Sequence, residues 1–250
     1  MRIGTAGWTI PAVSRAQFAL EGSQLERYAL QMNCVEINSS FHRSHRQSVY
    51  ARWAASVPED FAFAVKIPKA ITHMRRCVDC HEEFARFLDE SSGLGSKRSV
   101  LLVQLPPSFA YDDVTVGRFL QMLRGQYEGF AVCEPRHSSW FTPAADPTLR
   151  DHRVGRVASD PARCEGAEWP GGWRGIAYYR WHGSPRMYYS RYETGAIAQL
   201  ASRLKDEAAS ERWCIFDNTA GGMALENARE LQRAAGTGGN ANFPPNRAFV

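Results

Sequence analysis

Short apolar runs in this chain end repeatedly in polar residues whose types suit acid–base and anion chemistry. Glu36 and Asn38 close one run, Lys66 closes the next with His73 shortly after, and Gln104 closes another. Further on come Glu134 followed by Arg136, His137 and Trp140, then Asp160, then Arg180 and His182, then Asp217 and Asn218. Two carboxylic acids such as Glu36 and Glu134 could divide general acid and general base work, as in glycoside cleavage. The plainer alternative, and the favoured one, is that each pairs with Lys66, Arg136 or Arg180. Side chains alternate along a strand with period two, so Arg180 and His182 should face one way and Trp181 the other. Beside Glu134 or Asp160, His182 could donate or accept a proton, with a hydrogen-bonded structural role as the equal alternative. The candidate catalytic residues are therefore Glu36, Glu134, His182 and Asp217.

Binding chemistry follows from the remaining tips. Arg136, Arg180 and Lys66 could grip a phosphate or a carboxylate. Asn38, His73, Gln104, His137, Trp140, Asp160 and Asn218 complete the candidate substrate-binding set, with Trp8, Trp140 and Trp181 as a wall for an apolar or stacked group. Glu134, Asp160, His182 and Asp217, with His73 or His137, could instead hold a divalent metal. No tight ligand motif such as His-Glu-x-x-His supports that option, so no metal ligand is assigned and the cofactor stays unknown. Cys77-Val-Asp-Cys80 is a lone Cys-x-x-Cys outside a thioredoxin-like setting, and a redox or metal role is not favoured.

Such tips need a frame that points them to one place. Eight runs rich in β-branched or aromatic residues cover 2–7, 35–38, 61–67, 100–105, 130–134, 155–160, 177–182 and 212–218. They are continuously apolar rather than alternating, which suits parallel strands buried on both faces. Helical patterns fill most gaps: one capped by Ser23, one opened by Ser44, then 81–88, 116–123, 194–204 and 222–231. Strand and helix alternating eight times predict a TIM-type (β/α)₈ barrel in a single domain over 1–235, with its site at the C-terminal ends of the strands. The segment 161–175 predicts a long loop, a lid or pocket wall. The Gly-, Asn- and Pro-rich end, 236–250, predicts a flexible tail. No Gly-x-Gly-x-x-Gly fingerprint follows the first run, so a Rossmann unit is not expected.

Several of these stretches resemble the YecE-like family, domain of unknown function 72. They are Gly4-Thr5-Ala6-Gly7-Trp8, Glu36-Ile37-Asn38-Ser39-Ser40-Phe41, and Phe63-Ala64-Val65-Lys66-Ile67-Pro68 with Thr72-His73. Gln104-Leu105-Pro106-Pro107-Ser108-Phe109 and Glu134-Pro135-Arg136-His137-Ser138-Ser139-Trp140 follow. After these come Asp160, Arg180-Trp181-His182-Gly183, Tyr189-Ser190 and Phe216-Asp217-Asn218-Thr219, leading to Ala224 and Asn227-Ala228. The resemblance implies a barrel and no established reaction. This chain departs from the family pattern at Ala6, where Ser is usual, at His42, where Tyr is usual, and at Asp217, where Asn is usual. The last adds a carboxylate near the expected pocket.

Composition narrows the partners. There are 30 basic and 26 acidic residues, a net charge of +4, which is too mild to demand nucleic acid. No stretch approaches 18 consecutive apolar residues, so no membrane partner is expected. No secretory signal is visible, and scattered cysteines suit reduced thiols, so a cytoplasmic location is expected. The leading expectation is an enzyme, hydrolase- or isomerase-like, acting on a small anionic or sugar-like ligand. The alternative is a nucleic-acid-binding or phosphodiester-processing barrel, drawn from Tyr178, Tyr179, Tyr188, Tyr189 and Tyr192 lying among Arg180, Arg186 and Arg191. Oligomeric state is not legible.

Overall fold

A computed structural model describes residues 1–237 of the chain; the expected tail lies outside the described residues from 238 on. Each of the eight apolar runs contains a strand. These are β1 (Arg2–Thr5), β2 (Cys34–Ile37), β3 (Ala62–Lys66), β4 (Arg98–Gln104) and β5 (Phe130–Glu134). The sixth run divides into β6 (Val154–Arg156) and β7 (Ala158–Asp160), followed by β8 (Gly171–Gly172), β9 (Ile176–Trp181) and β10 (Glu211–Phe216). Two sheets result, with orders β1-β10-β9-β7 and β2-β3-β4-β5-β6-β8, and every pairing is parallel except the short β6–β8 one.

The two sheets close into a nearly complete TIM-like barrel along two seams. At one, Ala6 bridges Glu36 in parallel and Gly7 N–H donates to the Glu36 carbonyl at 2.8 Å. At the other, the sixth run changes partner: β6 pairs with β5, Val157 N–H donates to Cys133 O, and β7 pairs with β9. Gly4 is required at the first seam, because a Cβ there would collide with the Cys34 carbonyl.

Helices cover the outside: α1 (Gln24–Ala29), α2 (Ser39–His42), α3 (Gln47–Ala55), α4 (His81–Ser91), α5 (Asp113–Gln126), α6 (Ala145–Asp151), α7 (Thr194–Asp206) and α8 (Ala224–Ala235). Ser23 and Glu26 form a reciprocal capping box on α1, and the Asp112 carboxylate accepts from Thr115 N–H at the start of α5. Gly236 ends α8 in the left-handed conformation that a helix C-terminus favours. Ser44 does not open a helix; its hydroxyl donates to Glu90, and α3 begins three residues later. The loop 161–175 is interrupted by β8, where Gly171 lies against the Arg156 guanidinium.

Alternation along the strands divides the core in two. Cys34, Ala62, Ala64, Val100, Leu102 and Val132 point inward and meet Tyr178, Trp213 and Ile215 inside the barrel. Their neighbours, such as Val35, Phe63, Leu101 and Ala131, point outward under the helices. No helix among the described residues is long and apolar enough to cross a membrane.

Candidate functional site

The inward positions continue up the strands and set the top layer. Cys34 leads to Glu36, Ala64 to Lys66, Leu102 to Gln104, Val132 to Glu134, Tyr178 to Arg180, and Ile215 to Asp217. Below them the layer is apolar, so Glu36, Glu134, Arg180 and Asp217 satisfy one another.

Arg180 is the hub. Its guanidinium is fully buried and donates Nε to Glu36 Oε2 at 3.0 Å, Nη2 to Glu36 Oε1 at 2.7 Å, Nη1 to Glu134 Oε2 at 2.6 Å and Nη2 to Asp217 Oδ2 at 3.0 Å. Tyr178 adds a hydroxyl donor to Glu36 Oε2 at 2.9 Å. Glu36 thus has both oxygens engaged and no exposure, in the ion pairing that the sequence reading favours over acid–base work. Arg180 is likewise engaged by three carboxylates through four of its five N–H groups and is fully buried, so its charge is spent mainly inside the hub.

His182 stands above this hub. Nε2 lies 2.8 Å from Glu134 Oε1 and Nδ1 lies 3.1 Å from Asp217 Oδ2. Facing two ionised carboxylates, the ring satisfies both only with a proton on each nitrogen; a neutral ring donates to one alone. Burial opposes ionisation of Glu134, but Arg180, Arg136 and His182 outweigh it and hold the carboxyl well below the usual range. Asp217 is shifted down in the same way, with Arg180 and His182 overcoming its burial. The partners of His182 are therefore Glu134 and Asp217, rather than Asp160. Trp181 packs outward against Tyr192 and Phe216, as alternation requires.

The cations over the hub are less fully paired. Arg136 donates Nη2 to Glu134 Oε1 at 3.3 Å and Nη1 to the Tyr188 hydroxyl at 3.5 Å. Lys66 is 8% exposed, and its Nζ rests 4.2 Å from the centre of the Phe41 ring. Among the described residues that ammonium has no hydrogen bond and no salt bridge; Glu36, Glu134 and Asp217 act on it only at longer range. Burial first, then Arg180, push Lys66 down to about 8 against the pull of those three carboxylates. His73 also meets the Phe41 ring, edge-on at 5.0 Å between ring centres, with Nδ1 held by the Thr72 hydroxyl at 2.9 Å. Its pKa is lowered by burial and by Lys66, Arg136 and Lys69, so these four groups share one region.

Other expected residues are placed elsewhere. Alternation runs unbroken through the sixth run, with Val157 inward and Val154 and Ala158 outward, so Asp160 faces outward, where its carboxylate accepts from Tyr192 Oη at 2.7 Å. Asn218 is fully buried and braces Ser190 and Asn227. Trp140 is core: its Nε1–H donates to Phe109 O at 2.9 Å, and its ring packs on Tyr111. The His137 ring caps Ser139, and Trp8 packs edge-on against Trp53. Gln104 faces inward beside Glu134 in register, and Asn38 precedes α2 with its side-chain oxygen buried and unpartnered among the described residues. With Asp160 turned away, no group of three or more His, Cys, Asp or Glu side chains is placed to hold a metal ion among the described residues.

Two residues outside the expected set matter. Phe41 is brought over Lys66 by the turn of α2 directly after β2, and the Ser40 hydroxyl donates to Lys66 O at 2.7 Å. Tyr188 adopts φ 69°, an uncommon conformation for a non-glycine residue. Its N–H donates to the His182 carbonyl and its ring stands edge-on to His182 at 5.8 Å. The sequence signals were position only: each lies in the loop after a strand whose tip is polar.

A family model described as protein of unknown function DUF72 matches residues 2–248. UPF0759 protein YecE of Escherichia coli (strain K12) is 31% identical over 164 residues, which is 63% of this chain and 58% of that protein. Its namesake in Escherichia coli O157:H7 is 31% identical over 140 residues, 56% of this chain and 49% of the other. The matched part thus spans roughly half the length of these curated relatives. A DUF72 family protein of Enterococcus faecalis V583 superimposes with a TM-score of 0.81 at 22% identity, over 94% of this chain and 95% of the other. One of Thermotoga maritima MSB8 does so with a TM-score of 0.74 at 22% identity, over 93% and 97%. These likenesses carry the barrel fold.

Proposed function

The chain belongs to the DUF72 family, and from that premise we propose that it is an enzyme whose barrel mouth takes a small anionic or sugar-like ligand. One observation carries the reading. Three carboxylates, Glu36, Glu134 and Asp217, face four groups able to carry positive charge, Arg180, Arg136, Lys66 and His182, and Lys66 is the cation without a partner among the described residues. An ammonium on a largely buried side chain with no protein acceptor is only partly solvated, and an anion beside it relieves that cost. Arg136 and His73 supply further donors on the same side. In this reading Glu134, His182 and Asp217 form a proton relay, with His182 taking a proton from one side and returning it on the other. The free thiols suit a reducing compartment, and the reading places the reaction in the cytoplasm.

Calorimetric titration with inorganic phosphate, followed by a panel of sugar phosphates, tests the proposal. Binding should weaken at least tenfold in Lys66→Met and in Arg136→Met. Absence of binding at millimolar concentration, or binding indifferent to both substitutions, would overturn it. Tyr188 and Tyr189, exposed on the loop 183–191 with Arg186 4.0 Å over the Tyr189 ring, favour a second reading in which the mouth receives a nucleic-acid strand. Oligonucleotide binding with a steep salt dependence, competing with phosphate, would select that reading.

A further inference from the structure

Lys66 is a nucleophile in waiting as much as a charge. We propose that its amine attacks the carbonyl carbon of an anionic aldehyde or ketone and forms an imine, so that the substrate class is a carbonyl compound bearing a carboxylate or phosphate. The inference rests on the anion-binding reading above and names its substrate.

Four features point there. First, Lys66 differs from the other lysines of the chain. Lys97 donates to the carbonyls of Ala54 and Val57, Lys205 to that of Ala234, and Lys69 is exposed to water. Lys66 alone is a largely buried residue whose ammonium has no protein acceptor among the described residues. Second, a lysine becomes nucleophilic when burial and a neighbouring cation favour its neutral form, and here the cause is on hand in Arg180. Third, it stands on the inward face at the end of β3, in the layer that holds Glu134 and Asp217, so a group bound to it lies over the His182 relay. Fourth, Arg136 flanks the same region and can take the anionic substituent.

The step balances without an oxidant or reductant. The amine lone pair forms the N–C bond while the carbonyl π pair moves to oxygen, which accepts a proton, giving a carbinolamine. Nitrogen then loses a proton, the hydroxyl leaves as water after protonation, and the nitrogen pair forms the C=N bond. The protonated imine so formed gives up its remaining N–H proton, so two protons are taken up on oxygen, two leave nitrogen, and one carbonyl and one amine become one imine and one water. Both oxygen protonations need a nearby acid; both His182 nitrogens face carboxylates, so the ring would pass the proton by way of Asp217, whose Oδ1 has no partner among the described residues.

The experiment is reductive trapping. The whole protein is incubated with pyruvate, dihydroxyacetone phosphate or acetone, reduced with sodium cyanoborohydride and digested, and each lysine peptide is weighed. Inorganic phosphate binding is measured in parallel. The expected result is adduct at Lys66 at least tenfold above that at Lys69, Lys97 or Lys205, higher with the two anionic probes than with acetone. Lys66→Arg, checked by thermal melting, should lose it while still binding phosphate. Adduct spread over the four lysines by exposure, or none at Lys66 while phosphate binds, overturns imine formation and leaves the anion site standing. Equal trapping of acetone with no phosphate binding overturns the anion site and leaves the nucleophile.

Discussion

Arg180 and Glu36 meet through two hydrogen bonds, Nε to Oε2 at 3.0 Å and Nη2 to Oε1 at 2.7 Å, with neither side chain exposed. A planar fork matched to a carboxylate in this way cannot be replaced by a lysine without losing one of the two bonds.

Arg180→Met should therefore be severely destabilising, because three carboxylates lose their common partner. Removing one member of a buried pair typically costs about 3–5 kcal/mol. Urea melts should show a loss in that range for Arg180→Met, and Arg180→Lys should recover only part of it. A loss within experimental error of zero in Arg180→Met would contradict the hub geometry.

Lys66 makes an alkaline prediction. Its folded pKa, about 8, lies below the ordinary 10.5, so the folded state binds fewer protons than the unfolded state between those values. The cost of burying the ammonium is fully present below pH 8 and relieved as pH rises towards 10.5. The stability of the wild type minus that of Lys66→Met should rise across this window by on the order of 3 kcal/mol at most. Parallel curves for the two proteins would show that Lys66 is not held in this way.

Asp217 makes an acid-side one. Glu134 and Asp217 both have folded pKa values below their ordinary ones, so their stabilisation is present above the unfolded carboxylate range and lost as pH falls through the folded values. Asp217→Asn keeps an oxygen for Arg180 and removes a negative charge. Its acid-unfolding limb should be shallower than the wild type's, and phosphate should bind about fivefold more tightly, the effect of about 1 kcal/mol from one nearby charge. Weaker phosphate binding in this variant would mean that Asp217 positions the ligand instead of opposing it.

The thiols give a simple labelling prediction. Cys34, Cys133 and Cys214 are fully buried, and burial pushes the Cys77 and Cys80 thiols up as well. A disulfide reagent such as dithionitrobenzoate should label Cys164 first in the native protein and the other five only on unfolding. Rapid native labelling of Cys77 or Cys80 would revive a redox reading of that Cys-x-x-Cys.

Much of the fold was legible because parallel strands buried on both faces leave continuous apolar runs, and each of the eight runs carries a strand. What the runs do not reveal is parity, the choice of which residue in a strand faces the axis. For β2, β3 and β9 the polar tip fell on the inward parity, so Glu36, Lys66 and Arg180 converge. In the sixth run Asp160 shares the outward parity of Val154 and Ala158 and so lies beside Tyr192. Asn218 follows an inward residue and therefore packs into the scaffold. Trp140 is held by a carbonyl thirty-one residues earlier, a long-range contact with no local signature. The roles of Phe41 and Tyr188 depend on loop paths, which a strand–helix pattern does not describe.

The two seams of the barrel have one further consequence. Glu36 and Glu134 belong to one sheet, and Arg180 and Asp217 to the other, so the guanidinium reaches across the barrel interior like a tie-rod between two half-shells. At each rim the half-shells are joined by little backbone: a single bridge beside Gly7 on one side, and the partner exchange at Val157 on the other. Tension is then carried through side chains at the centre rather than through a continuous ladder around the circumference.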